Sequence, residues 1–174
     1  DAVVVNPPYM GGKGMNPVVK NFVNKNFQDS KSDLFACFIE RSAMLIKTYG
    51  NVGAVAPFVW MFLSSYERFR DSTIYTSNLS SLVQLEYNAF EPACIPVATF
   101  TLAGRNIPNY LGSYIRLSRF KGHMEQAPRT LEAIQNPQCD WRYTSSIDNF
   151  KKIPSTPIAY WIPIETFEAF TNFP

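Results

Sequence analysis

Apolar and polar positions along this chain alternate between two rhythms, one of strands and one of helices. Val3-Val4-Val5 is an unbroken β-branched run, apolar on both faces, which predicts a fully buried strand of the parallel type ending at Asn6-Pro7-Pro8-Tyr9. Asn51-Val-Gly-Ala-Val-Ala-Pro57 repeats the pattern and predicts a second buried strand, also closed by proline. Between them, Asn16-Pro17 makes an N-cap and first-turn pair, and Val18, Val19, Phe22, Val23 and Phe27 follow at helical spacing. Ser32 or Asp33 caps a stronger helix, with Phe35, Phe38, Ile39, Ser42, Leu45, Ile46 and Tyr49 on one buried face and Gly50 as its stop. Ser64 and Glu67 have capping-box spacing and open a helix through Tyr66, Phe69 and Arg70. Leu82 to Tyr87 and Val97 to Ala103 read as strands whose connection is too short for a helical crossover, so they should pair antiparallel. Beyond Gly112 the pattern weakens to a strand over Tyr114 to Phe120 and a short helix from Pro128 to Gln135.

Composition narrows the picture without deciding it. The 174 residues are 46% hydrophobic and 15% aromatic, enough for one sizeable core. A formal charge of +2 permits contact with nucleic acid but does not demand it. Arg116, Arg119 and Lys121 form the best local basic patch, a solvated face or a weak contact to a DNA backbone, and Lys13 has a similar standing. Cys37, Cys94 and Cys139 are odd in number and widely spaced, which fits reduced, buried thiols better than a disulfide framework or a zinc site. His123 is the one histidine and lacks an acidic or cysteine cluster, so it reads as a surface residue, and no metal site is expected. The longest apolar region, Ala43 to Leu63, is interrupted by Lys47, Gly50, Asn51, Gly53 and Pro57, which excludes a membrane span there and suggests a cytoplasmic protein. Met10-Gly11-Gly12-Lys13-Gly14 lacks phosphate-loop spacing and reads as a flexible loop, a mobile lid or a DNA-contacting segment.

The chemistry concentrates where the first strand ends. Asn6 and Pro7 each precede a proline and are held extended, and neither proline has an N–H to donate. The stretch is therefore rigid and poor in donors, presenting the Asn6 side-chain oxygen and the Pro7 carbonyl as acceptors beside the flat ring of Tyr9. Two acceptors and a ring suit an exocyclic amine on an aromatic base, which becomes a better nucleophile when its hydrogens are held.

Asn6-Pro7-Pro8-Tyr9 resembles motif IV of the adenine-N6 DNA methyltransferases, and Asp33-Leu-Phe-Ala-Cys-Phe-Ile-Glu40 resembles their motif V. Trp60 to Arg70 is similar to the stretch after motif VI in one branch, the methyltransferase component of BREX-type phage-defence systems. Phe90, in Asn88-Ala89-Phe90-Glu91-Pro92, matches the motif VIII aromatic, and Phe150 to Trp161 resembles a junction peptide leading towards target recognition, with Ser155 where glycine is expected. The resemblance implies an α/β fold: the C-terminal half of a class I, Rossmann-like methyltransferase sheet, closed by an antiparallel strand pair. A partial catalytic domain over residues 1–104 would be followed by a partly helical C-terminal extension over 105–174. It further implies methyl transfer from S-adenosylmethionine to adenine N6 in double-stranded DNA after base flipping, within restriction-modification or phage defence, with defence-system subunits as possible partners. Asn6, Pro7 and Pro8 would form the catalytic turn with Tyr9, Tyr9 and Phe90 would stack on the flipped base, and Asn6 and Phe38 would border the cofactor. The Gly-rich cofactor motif that precedes motif IV in this class lies outside these residues. The chain thus reads as a piece inactive by itself, with Ala2 to Val5 a sheet edge hidden by self-association or by a rearranged N-terminal segment. Two further functions stay open: a non-catalytic DNA-binding or assembly module, and a methyltransferase of another amine or amide, in an RNA base or a protein glutamine.

Overall fold

The computed structural model describes residues 1–90 and 95–172. Cys94 and the Glu91-Pro92 pair lie outside them.

Six strands form one mixed sheet in the order β1-β2-β4-β3-β5-β6. They are β1 (Ala2–Val5), β2 (Asn51–Pro57), β3 (Asn78–Gln84), β4 (Val97–Ala103), β5 (Leu111–Arg116) and β6 (Arg142–Ser146). β1 and β2 run parallel, with Ala2 opposite Asn51 and Val5 opposite Ala54. β4 inserts between β2 and β3 and is antiparallel to both, as the short 85–96 connection requires. A parallel pair closed by an inserted antiparallel strand is the arrangement that the resemblance implies. β5 then adds to β3 in parallel and β6 to β5 in antiparallel sense, so residues 105–172 extend the same sheet.

Two helices follow the predicted caps. Asn16 accepts the Val19 N–H at 2.9 Å and starts α1 (Pro17–Asn26), with Pro17 in the first turn. Asp33 caps α2 (Leu34–Leu45) through the Phe35 N–H at 3.2 Å. Phe35 and Ile39 lie against Val52 and Ala54, so α2 covers one face of β1 and β2. The same core continues through Phe100 and Tyr114 to Phe150, Tyr160 and Phe167. A second cluster, with Leu117, Ala133 and Trp141, lies under α4 (His123–Gln135).

Several expectations need correction. β1 is not fully buried: Val3 and Val5 are half-buried against α2, but Val4 is 86% exposed because no described element covers the opposite face. It keeps its parallel register with β2, so the rearranged N-terminal segment does not form. α2 ends at Leu45, and Phe38, Leu45 and Tyr49 are exposed, since only one side of the helix meets the sheet. β3 starts four residues before the predicted Leu82 because Ser80 and Ser81 are satisfied by the Thr101 hydroxyl, each at 2.7 Å, which lets polar residues join the ladder. β5 occupies Leu111–Arg116 rather than 114–120, and the chain turns at the Phe120 N–H to Leu117 carbonyl bond. α4 begins at His123 and carries Pro128 inside it.

The Ser64–Glu67 capping box is also absent. That region is a 3₁₀ turn (Ser64–Tyr66), an α turn, α3 (Glu67–Phe69), and a π turn (Arg70–Ile74), none with a side-chain cap. Its organiser is Arg70, fully buried, whose guanidinium donates to the carbonyls of Trp60 (2.6 Å), Leu63 (2.9 Å), Ser155 (2.6 Å) and Thr156 (2.9 Å). Ser155 and Thr156 have φ of 62° and 47°, the left-handed region where glycine is at ease. Arg70, together with the Tyr75 hydroxyl at 2.6 Å from the Thr156 carbonyl, holds that turn where the sequence suggested glycine. After α5 (Ile147–Phe150) and this turn, α6 (Ile164–Asn172) ends the described chain.

Candidate active site

β1, β2 and β3 all point their C-terminal ends to one side of the sheet, and β4, being antiparallel, begins there. Open α/β sheets bind ligands at this edge because the loops leaving it converge. Here it carries a cleft of about 200 Å³ lined by Asn6, Tyr9, Val55, Phe90, Ile95 and Val97. The motif IV residues Asn6 and Tyr9 therefore meet Phe90, more than 80 residues away in sequence.

Each side chain is placed by its element. Asn6 follows directly on β1, with Pro7 buried behind it and its carboxamide exposed. The Tyr9 ring packs edge-on against Phe35 of α2, centroids 6.4 Å apart and planes at 89°. Its hydroxyl lies 3.2 Å from Asn6 Oδ1 and 3.4 Å from the Val55 carbonyl, able to donate to either. Burial raises the Tyr9 pKa above its ordinary value, so the phenol remains a neutral donor. Phe90 is 51% exposed on the far wall. The six lining residues carry one carboxamide, one phenol and no charge. Such a site fits a flat, neutral heteroaromatic amine; the ribose and amino-acid ends of S-adenosylmethionine would need partners beyond these six.

The other candidates lie elsewhere. Phe38 lines a separate apolar groove of about 370 Å³ between α1 and α2, with Val19, Phe22, Phe27 and Leu34. Lys13 is exposed at the tip of the glycine loop. That loop is not free: Met10 N–H donates to the Asp33 carboxylate at 2.9 Å, the Met10 carbonyl accepts from Leu34, and Gly11 pairs with Asp33 as an isolated bridge. Arg119 forms a two-pronged ion pair with Asp140, 2.7 Å at the longer contact, and lies over the rings of Phe120 and Trp141. Arg116 stacks on Trp161 at 4.3 Å. The two arginines of the predicted basic patch are thus engaged within the fold, while Lys121 is exposed. Cys37 and Cys139 are buried free thiols, and His123 is exposed. No cluster of three or more metal-binding side chains occurs among the described residues, and no described helix is long and apolar enough to cross a membrane.

Sequence reasoning missed the apolar wall of Val55, Ile95 and Val97. Val55 had a signal, since it precedes the proline that ends β2 at the same edge as Asn6. Ile95 had none, because its place depends on β4 inserting beside β2.

The geometry agrees with independent likeness to known proteins. The chain is 35% identical to the adenine-specific methyltransferase PglX of Lacticaseibacillus casei over 160 residues, 91% of this chain and 13% of that protein. It is also 35% identical to the adenine-specific methyltransferase BrxX of Escherichia coli O9:H4 across its full length, which spans 14% of that relative. Among solved structures, the methyltransferase subunit of a type I restriction-modification system from Streptococcus thermophilus superposes with a TM-score of 0.67 at 18% identity, over 92% of this chain and 37% of that one. The fold is that of the class I S-adenosylmethionine-dependent methyltransferases. Residues 1–90, which hold Asn6, Tyr9 and Phe90, match the Eco57I restriction-modification methylase model, and the chain belongs to that family.

Proposed function

We propose that this chain forms the substrate side of a DNA adenine-N6 methyltransferase acting in restriction-modification or phage defence. The convergence of Asn6, Tyr9 and Phe90 on one cleft whose six described lining residues are uncharged carries the reading. An adenine turned out of a duplex loses stacking worth a few kcal/mol, and two aromatic walls offset that loss. Tyr9 and Phe90 supply the walls, while Val55, Ile95 and Val97 keep water from the edge of the base. Asn6 Oδ1 and the Pro7 carbonyl then accept the two hydrogens of the exocyclic amine and direct its lone pair away from the ring plane.

The Tyr9 hydroxyl has a part in this exchange. Without substrate it can rest on Asn6 Oδ1 at 3.2 Å; when the amine claims that oxygen, the Val55 carbonyl at 3.4 Å takes the hydroxyl. Neither partner is left unsatisfied as the base enters.

S-adenosylmethionine, when bound, would supply an electrophilic methyl to the amine nitrogen held by Asn6 and Pro7, with the sulfur as leaving group and the displaced amine proton passing to solvent. Phe38 and Asn6 are the residues of this chain proposed to border it, and Lys13, Arg116 and Arg119 are weaker candidates for the DNA backbone. Residues 1–104 would form the catalytic part and 105–174 an extension towards target recognition. Double-stranded DNA is the proposed partner, with defence-system subunits in the assembled protein. Transfer of tritiated methyl groups from S-adenosylmethionine to unmethylated genomic DNA by the full-length protein tests the proposal. Label recovered as N6-methyladenine is expected; label only in protein or RNA would overturn it.

A further inference from the structure

Phe90 sits on a turn with an unusual anchor. Glu86, directly upstream, is 92% buried by the fold, with only 8% of its surface exposed. Its Oε2 accepts the Asn88 N–H at 2.9 Å and the Gly122 N–H at 3.2 Å. Its own N–H donates to Gln126 Oε1 at 3.1 Å, and its carbonyl accepts from Ala89 at 3.1 Å. Gln126 in turn donates to the carbonyls of Phe120 (2.7 Å) and Gly122 (2.9 Å).

A buried carboxylate is costly unless hydrogen-bonded, and no cation neutralises this one in the contacts above. What it faces instead is the start of α4, where it takes the N–H of the cap residue Gly122 and where the helix dipole favours negative charge. Gly122, at φ +86°, turns its N–H to that carboxylate in a conformation that side-chain-bearing residues rarely adopt. One oxygen thus joins the first turn of the Phe90 loop to the N-terminus of a helix in the C-terminal part of the chain.

We propose that Glu86 is a positioning residue for base capture: it fixes the turn that presents Phe90 opposite Tyr9 and couples that turn to α4. This rests on the methyltransferase reading above. An aromatic wall works only at the right distance from its partner, and a displacement of about 1 Å can cost on the order of 100-fold in rate. α4 therefore sets the width of the base cleft through Glu86, and a movement of the C-terminal region on DNA would reach the flipped adenine by this route.

The test uses the full-length protein, an oligonucleotide bearing the sequence it modifies, and 2-aminopurine at the target adenine. Glu86→Ala is expected to abolish most of the fluorescence rise and to raise KM for DNA by about 10- to 100-fold. Its calorimetric affinity for S-adenosylmethionine should stay within about twofold of wild type, and amides 88 and 89 should exchange faster. Glu86→Gln keeps an acceptor oxygen and should restore most of the signal. Gln126→Ala, which leaves the carboxylate in place, should show a smaller defect of the same kind. Wild-type fluorescence in Glu86→Ala would overturn the proposal. So would equal damage in Glu86→Gln, or unfolding of both alanine variants, because either outcome makes the network structural rather than positional. A wild-type protein that methylates no adenine would instead sink the functional reading itself.

Discussion

Among the described residues that line the cleft, Asn6 alone offers a side-chain carboxamide, so the reading depends on it more than on any other residue. In the full-length protein, Asn6→Ala should lower methyl transfer by about 100-fold or more, since a correctly aimed polar group is typically worth about 2.7 kcal/mol or more of barrier. Cofactor affinity, measured by calorimetry, should change little; turnover within tenfold of wild type would contradict the role. Tyr9→Ala should be severe, because it removes a stacking wall and the edge contact to Phe35. Tyr9→Phe should be milder, costing only the hydroxyl's bonds to Asn6 and Val55. Equal damage from the two would show that the hydroxyl, not the ring, carries the effect. Arg70 lies outside the chemistry but under the fold. Arg70→Leu strands four backbone carbonyls and releases the left-handed Ser155-Thr156 turn, so denaturant unfolding should show a loss of at least about 3 kcal/mol.

At the level of elements, legibility followed how local the cause was. β2 was read to the residue because an apolar run between Gly50 and Pro57 has only one sensible strand in it. α1 and α2 were equally clear at their starts, where Asn16 and Asp33 bond to N–H groups two or three residues on. What covers each face was not legible: helical spacing placed Phe35, Phe38 and Leu45 together, yet only Phe35 meets the sheet. β3 was misplaced because its polar half is satisfied by Thr101 on another strand, a partner invisible to a reading of Asn78 to Ser81 by themselves. Asn6 and Tyr9 were legible as neighbours from the prolines between them, whereas Glu86 was silent, since Gly122 and Gln126 lie far along the chain at α4. β1 yields a prediction at this scale. It occupies one edge of the sheet, with Val4 exposed, and lacks the charges that natural edges use against pairing. The 174-residue chain by itself should self-associate in sedimentation velocity, and Val4→Lys should shift it towards monomer; a monomeric wild-type chain at high concentration would contradict this.

For the molecule as a whole, the sheet and its main core are continuous from β1 to α6, so the cleft and the C-terminal region share one sheet and one core. The chain spans 13% and 14% of the curated relatives it matches. Among the described residues that line its cleft, none carries a charge to hold the ribose or amino-acid end of a sulfonium cofactor, so the 174 residues alone should give no calorimetric signal for S-adenosylmethionine at micromolar concentrations. Micromolar binding would mean that these residues supply more of the cofactor site than the cleft indicates. The central claim, that the Asn6, Tyr9 and Phe90 cleft serves adenine methylation of DNA, is tested most directly by single-molecule sequencing of host DNA from cells with the intact gene, without it, and with an Asn6→Ala allele. The account predicts an adenine modification at a defined sequence in the first sample that vanishes from the other two. Its persistence in the Asn6→Ala cells, or its absence from the intact ones, would contradict that claim.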